Sequence, residues 1–216
     1  MAYIDREEAW TLYEPEAAKV RDTLLALAAS AEAEDEAFTR ALRYGAATNY
    51  GESGDFTGVR TFAQVLYPAK ARALFREADA LRSALPERVY SARQRAAVFI
   101  DCPEDLDGMV AAATAAALTA AGFPVEGDRQ RTARACRIRV DLGTQAVAGG
   151  AFYDPSLTGT VSGNGRAVFS FTAKAPRQSA VSPEVGRRRA YTALAAVLGE
   201  TFAKELNQKQ ASYRKP

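Results

Sequence analysis

The stretch CRIRVDL (residues 136–142) decides the fold because its side chains alternate between apolar and charged. Its four apolar side chains point one way, and Arg137, Arg139 and Asp141 point the other way. A period of two residues is typical of a β-strand with one face on the core and the other in water. The chain is therefore predicted to contain a β-sheet that is covered on one face only.

The flanking segments complete a two-layer α/β module. Residues 96–100 form an apolar run typical of a buried strand. Residues 105–121 have the apolar spacing of a helix, which ends at Gly122, Phe123 and Pro124. The order from residue 96 onward is strand, helix, two or three strands, helix, which predicts a mixed sheet with both helices on one face.

Two segments after residue 148 differ in their pattern. GGAFYDPSLTG (residues 149–159) is interpreted as a turn region, whereas residues 162–175 alternate like a strand. Within the second segment, Asn164-Gly165 fits either a tight hairpin turn or a bulge in one long strand. The final helix follows Ser182, and its apolar stripe comprises Tyr191, Leu194, Ala195, Leu198, Phe202 and Leu206.

The first 92 residues are predicted to be helical. Apolar residues recur there at steps of three and four, namely Ala17, Val20, Leu24, Leu27, Ala31 and Phe38. Residues 49–58 contain three glycines and are interpreted as a turn, and Pro68 either kinks the next helical run or starts a new helix. The predicted fold class is α+β. A helical hairpin or linker over residues 1–92, following a trimmed upstream domain, leads to a two-layer α/β module over residues 93–216.

Composition excludes several classes of function. The chain has 216 residues, a net charge of +2 and no histidine. The absence of histidine excludes Cys-His and Ser-His-Asp nucleophilic catalysis and most zinc sites. The small net charge argues against a nucleic-acid partner, and the sequence has no apolar run of membrane-spanning length and no secretion signal. We expect no enzyme activity, no cofactor and no metal.

The two cysteines, Cys102 and Cys136, each lie at the edge of an apolar strand-like segment. Two thiols are too few for a four-thiolate metal site. They could form one disulfide, but a pair of buried thiols is the favoured interpretation.

Four acidic residues lie between the first predicted strand and the helix after it: Asp101, Glu104, Asp105 and Asp107. A cation site is conceivable at such a strand end. The favoured interpretation is that they stabilise the positive end of the helix dipole. If the protein were an enzyme, Asp101 and Asp105 would be the carboxylate pair to test as acid and base.

The beginning of the last helix, SPEVGRRRAYTALAAVLGETF (residues 182–202), breaks two local preferences. Gly186 lies in the second turn, where glycine costs up to about 1 kcal/mol relative to alanine, and three arginines lie near the positive end of the helix dipole. Violated local preferences mark candidate sites, but structural pairing is the favoured interpretation of these arginines, because arginine stems often cover apolar surface while the charge stays in water. The predicted partner-binding surface comprises Gly186, Arg187, Arg188 and Arg189 with Arg137 and Arg139 of the wet strand face.

AYIDREEAWTLY (residues 2–13) resembles the exit from the small lipoprotein domain of the LPP-twenty family. The matching residues are Ala2, Tyr3, Ile4, Asp5, Arg6, Ala9 and Tyr13. In longer, mostly spirochaetal members, a helical segment and a strand–helix–strands–helix module follow that domain. The module resembles the folds of flagellar assembly protein T, the TolB N-terminal domain and the curli secretion protein CsgG. GFPV (residues 122–125) and RRRAYTALAAVL (residues 187–198) fit its pattern.

The resemblance implies the C-terminal part of a larger lipoprotein of the outer membrane and periplasm, with no enzymatic residue to carry over. We therefore predict a non-catalytic periplasmic interaction or scaffold domain whose partner is an envelope protein or the peptidoglycan-associated machinery. Membrane contact is expected only through a lipid anchor upstream of this chain. The alternative is a small-ligand or lipid-binding protein with a pocket between the helices and the sheet.

Overall fold

The computed structural model describes residues 5–214, so Ala2, Tyr3 and Ile4 of the family resemblance lie outside the described residues. The fold class is α+β as predicted, with a helical N-terminal region followed by a module of sheet and helices. The chain divides into two compact units. Among the described residues, 5–35, Thr39–Ala92 and 210–214 form the first unit, and Glu36–Phe38 with Arg93–Lys209 form the second.

Four helices make up the N-terminal region: α1 (Arg6–Glu32), α2 (Ala37–Gly51), α3 (Gly54–Leu66) and α4 (Pro68–Gln94). The predicted turn over residues 49–58 is confined to residues 52–53, because the Ser53 hydroxyl accepts a hydrogen bond from the Phe56 N–H and caps α3 directly. Pro68 starts a new helix, which was one of the two predicted alternatives.

The second unit contains the strands. They are β1 (Val98–Asp101), β2 (Val125–Glu126), β3 (Ala135–Asp141), β4 (Thr144–Val147), β5 (Gly150–Tyr153), β6 (Ser156–Gly163), β7 (Arg166–Lys174) and β8 (Gln178–Ala180). The helices α5 (Met109–Ala120) and α6 (Pro183–Ser212) and a short 3-10 helix, Arg129–Arg131, complete the described elements. None of the helices within residues 5–214 is both long and apolar enough to cross a membrane.

The main sheet has the strand order β2-β1-β3-β6-β7. β1 is parallel to β2 and to β3, whereas β6 is antiparallel to β3 and to β7, so the sheet is mixed as predicted. The turn between β6 and β7 is Asn164-Gly165, with φ of 51° and 76°. Two consecutive positive φ values are typical of a tight hairpin turn, which decides between the two predicted alternatives.

Aromatic rings fill the space between the sheet and α6. Phe169 and Phe171 of β7 pack edge-on against Phe202, with ring centroids 5.4 and 5.2 Å apart. The Phe171 ring also lies over Gly159 of β6, where an added Cβ would come within 2.1 Å of the ring. These rings occupy the region in which the alternative prediction placed a ligand pocket.

A buried ion pair joins the start of α2 to the main sheet within the second unit. Arg134 Nε lies 2.6 Å from Glu36 Oε1, and the two side chains are only 16% and 11% exposed. The same Glu36 oxygen accepts the Phe38 N–H, and Arg134 Nη1 donates to the Arg95 carbonyl at 3.1 Å. Such a pair is stable in a buried position only because further hydrogen bonds surround it.

The turn region predicted over residues 149–159 is wrong: residues 150–153 form β5 of a second sheet with the order β4-β5-β8, and residues 156–159 begin β6 of the main sheet. Gly149 (φ 82°) supplies the turn between β4 and β5. Gly150 lies so close to β8 that an added Cβ would meet the Ala180 carbonyl oxygen at 2.5 Å. Gly149 therefore allows the hairpin turn and Gly150 allows the close contact between strands, and both are compatible with an ordered sheet.

Candidate functional site

The uncovered face of the main sheet is polar across three strands. Arg137 and Arg139 of β3 lie opposite Thr160 and Thr158 of β6, which in turn lie opposite Ser170 and Thr172 of β7. The intervening residues, Ile138, Leu157, Val161, Phe169 and Phe171, are buried on the other face. This arrangement follows from the period of two in the sequence, and it leaves hydroxyl and guanidinium groups accessible on the open face.

An open groove of about 850 Å³ lies on this face, lined by residues of β3 and β6 and by the chain after β1. Its charged residues are Asp101, Glu104, Arg137, Arg139 and Asp141. The sequence prediction included the two arginines but not Ser156 and Thr158, which also line the groove. The alternation of Ser156, Thr158 and Thr160 with Leu157 and Val161 was the signal that would have placed them on this face.

The two arginines of β3 differ in their partners. Arg137 Nε donates to Asp101 Oδ2 at 3.0 Å, and the Arg137 side chain is 67% exposed. A pair this exposed adds little to stability, so it orients the guanidinium more than it holds the fold. Arg139 is exposed and has no hydrogen-bond or ion-pair partner among the residues that the structure describes.

Gly186 has a packing reason to be glycine. The ring of Tyr153 from β5 lies against it, and a Cβ added at Gly186 would come within 2.1 Å of Tyr153 Cε2. Gly186 is buried, so its role in any contact surface is to let α6 approach the sheet and to position the arginines that follow. The sequence alone could not show this, because Tyr153 lies in a segment interpreted as a turn.

The three arginines of α6 point in different directions. Arg188 Nη2 lies 3.4 Å from Asp107 Oδ2, and Arg189 Nη1 donates to the Ser179 carbonyl of β8 at 2.9 Å. Arg187 is exposed, with no hydrogen-bond or ion-pair partner within residues 5–214. The structural pairing that was the favoured interpretation therefore applies to Arg188 and Arg189, whereas Arg187 has no such partner among the described residues.

The acidic segment of residues 101–107, here called the acidic loop, lies beside both arginine groups. Asp101 pairs with Arg137 of the open sheet face, and Asp107 pairs with Arg188 of α6. The Glu104 carbonyl accepts a hydrogen bond from the Tyr191 hydroxyl. The candidate site thus comprises the acidic loop with the two arginine groups beside it, and Arg139 and Arg187 are its cations without a hydrogen-bond or ion-pair partner among the described residues.

Asp105 has a structural role in the acidic loop. Its two carboxylate oxygens accept the N–H groups of Val110 and Ala111 at 3.1 and 2.7 Å. Helix α5 therefore begins at Met109, four residues later than predicted, and the carboxylate caps its first turn from outside. Across residues 5–214, no cluster of three or more His, Cys, Asp or Glu side chains could hold a metal ion.

Neither cysteine forms a disulfide, and Cys136 is buried while Cys102 is partly exposed. Burial, followed by the charge of Asp105, raises the pKa of the Cys102 thiol to about 11. Burial also raises the pKa of Cys136 to about 12. A thiol with a raised pKa is neutral at physiological pH, so neither group is an activated nucleophile.

We expect both thiols of the native chain to react only slowly with iodoacetamide at pH 8. With these raised pKa values, on the order of 0.1% of Cys102 is thiolate at pH 8, and the fraction is smaller for Cys136. The thiolate fraction falls about tenfold for each unit of pH below the pKa. Mass spectrometry of the alkylated peptides between about pH 8 and 10 checks this. Fully urea-unfolded chain is the control and should react at both cysteines, whereas fast labelling of the native chain at pH 8 would contradict the assignment.

No protein-family model matches the chain, and no curated protein matches it. Among solved structures, a minor lipoprotein from Acinetobacter baumannii is similar at 14% identity and a TM-score of 0.36, over 54% of this chain and 91% of its own. Lipoprotein GNA1162 from Neisseria meningitidis is similar at 17% identity and a TM-score of 0.33, over 52% of this chain and 98% of its own. These structural neighbours are bacterial lipoproteins, and no activity or partner is carried over from them at such low similarity.

Proposed function

We propose that this chain is a non-catalytic interaction domain of a larger cell-envelope lipoprotein of the LPP-twenty type. Its α/β module would correspond to the module that resembles flagellar assembly protein T, the TolB N-terminal domain and CsgG. The likeness of residues 2–13 to the exit from the lipoprotein domain supports the envelope assignment. The partner would be another envelope protein or the peptidoglycan-associated machinery on the periplasmic side.

The uncovered face of the main sheet is the observation that supports the proposed interaction. A two-layer module buries one face of its sheet under helices, and here the other face offers a groove in which Arg139 is unpaired among the described residues. Arginine is enriched at protein interfaces because its planar guanidinium binds carboxylates in a bidentate way. A partner that presents carboxylate groups would fit this face.

The ion pairs of the acidic loop reduce the number of arginines that are free to bind the proposed partner. The loop neutralises Arg137 through Asp101 and Arg188 through Asp107, which leaves Arg139 and Arg187 as the cations open to a partner. The paired arginines are held in place, so they limit the positions that a partner can take. The paired arginines would therefore determine which partner fits, and the unpaired arginines would attract its carboxylate groups.

Reversing charge at the exposed arginines, namely unpaired Arg139 and Arg187 with their paired neighbour Arg188, is expected to weaken capture of the partner about tenfold while leaving the fold intact. The variants are Arg139→Glu and the double change of Arg187→Glu with Arg188→Glu. All three side chains are exposed, so circular dichroism and thermal unfolding should stay close to those of the unchanged chain. Quantitative pull-down from an envelope extract measures the effect.

Arg166→Glu is the matched control, because Arg166 is also exposed and unpaired among the described residues but begins β7 outside the groove lining. Capture should survive this change. Equal loss with Arg166→Glu would indicate non-specific charge attraction, and capture from a cytosolic extract but not from the envelope extract would contradict the envelope assignment.

A further inference from the structure

The outer edge of β4 has backbone groups that pair with nothing in the described part of the chain. Val147 lies opposite Gly150 across the turn, and the Asp154 N–H donates to the Gly143 carbonyl at 3.3 Å. Alternate residues of a strand direct their N–H and C=O groups to the same side, so residues 143, 145 and 147 bond to β5. Thr144 and Ala146 consequently point their N–H and C=O groups away from the sheet.

The opposite edge of the same sheet, formed by β8, has a hydrogen-bond donor for its outward carbonyl. Ser179 of β8 lies opposite Phe152 and directs its carbonyl outward, where Arg189 Nη1 donates to it at 2.9 Å. β4 has no comparable cover, since all four of its residues are exposed and its one strand neighbour is β5. It also lacks the charged residues, proline or bulge that normally protect an exposed edge.

We propose that the outer edge of β4 pairs antiparallel with β4 of a second copy of this chain. With the twofold axis at Gln145, the outward groups of Thr144 meet those of Ala146 of the second copy, and the reverse pair forms equally. All four outward groups in each copy are then satisfied, and the two three-stranded sheets become one six-stranded sheet.

Charge and side-chain size favour the same chain as the occupant. A twofold contact places any charge on the strand near the same charge of the second copy, so the two would repel each other. Residues 142–153 carry no charge at all, between Asp141 and Asp154. In this register Val147 lies opposite Gly143 of the second copy, where no side chain opposes it. The contact is therefore self-complementary in hydrogen bonds, in charge and in shape.

The dimer is expected to be weak. Four-residue strands bury far less area than a standard stable interface, which places such contacts among transient ones. We expect half-dissociation at roughly 0.1 mM. The inference is independent of the proposed function, because the contact itself includes no residue of the acidic loop or of the arginine groups beside it.

Sedimentation velocity of the full 216-residue chain from about 10 μM to about 1 mM tests the proposal. The unchanged chain should shift from monomer to dimer over this range. Ala146→Pro removes an outward N–H that β5 does not use, so the monomer should keep its circular dichroism spectrum while dimerisation falls at least about tenfold. Ala146→Thr keeps the N–H and should dimerise like the unchanged chain.

Gln145→Lys provides a second variant should the proline affect folding. It places two ammonium groups opposite each other across the twofold axis, so dimerisation should fall and should recover partly in high salt. A chain that stays monomeric at every concentration would overturn the proposal, even if β4 captured a strand of another protein. Equal dimerisation of folded Ala146→Pro and the unchanged chain would overturn it as well.

Discussion

Replacing Arg134 with methionine is expected to lower the free energy of unfolding of the second unit by about 3–5 kcal/mol. Methionine keeps much of the apolar stem but leaves the Glu36 carboxylate in its buried place without the guanidinium 2.6 Å away. Removing one partner of a buried pair costs more than the pair itself contributes to stability, because the remaining group loses interactions that offset its desolvation. The substitution also removes the hydrogen bond to the Arg95 carbonyl.

Alkylation of Cys136 as a function of urea measures this change, because Cys136 is fully buried in β3 and reacts when the second unit opens. Arg166→Met is the matched control and should change stability by less than about 0.5 kcal/mol, since Arg166 is exposed. Adding Glu36→Leu to Arg134→Met should recover part of the loss, because two apolar side chains can replace a buried pair. A loss of under about 1 kcal/mol for Arg134→Met alone would contradict the buried-pair account.

Replacing Phe171 with alanine is expected to cost about 3–5 kcal/mol, the usual range for truncating a buried aromatic ring. Phe171 is 2% exposed and packs on the Phe202 ring, so its removal leaves a cavity between the sheet and α6. The ring also covers Gly159, whose backbone would lose that cover. The same urea-dependent alkylation of Cys136 measures the loss.

A double-mutant cycle with Gly159→Ala separates this explanation from a general loss of core volume. In the unchanged chain the new methyl group would come within 2.1 Å of the Phe171 ring, so Gly159→Ala should destabilise by about 1–3 kcal/mol. In the Phe171→Ala background the methyl group enters vacated space and should be neutral or stabilising. Additive effects of the two substitutions would refute the direct contact between them.

Local periodicity was enough to predict β1, β3 and β7 of the main sheet and its covering helices, but not β2 or the first half of β6. The alternation over residues 136–142 placed Arg137 and Arg139 on the open face, and the stripe of α6 is buried at Leu194, Leu198 and Phe202. Such patterns depend on residues a few positions apart, which a sequence displays directly. The second sheet was missed because β4 and β5 are only four residues long and weakly alternating, and β5 also pairs with the distant β8.

The candidate site was predictable in its residues but not in its pairing. Arg137 and Asp101 were both singled out from the sequence, yet their contact spans 36 positions and depends on the parallel register of β1 and β3. The glycine at position 186 was noted as a violation of helix preference, but its cause is the ring of Tyr153. Contacts between distant segments follow from the fold and leave no local signal in the sequence.

The alternation of faces along β3 and β6 separates two kinds of selective pressure. Ile138, Leu157 and Val161 are constrained by packing in the core. Arg139 and Thr158, on the same strands, are constrained only by the molecule that binds the open face. Substitutions at exposed positions such as Arg139 and Thr158 change the stability of the fold little. Recognition can therefore diversify between descendants of such a domain while the scaffold beneath it is inherited unchanged.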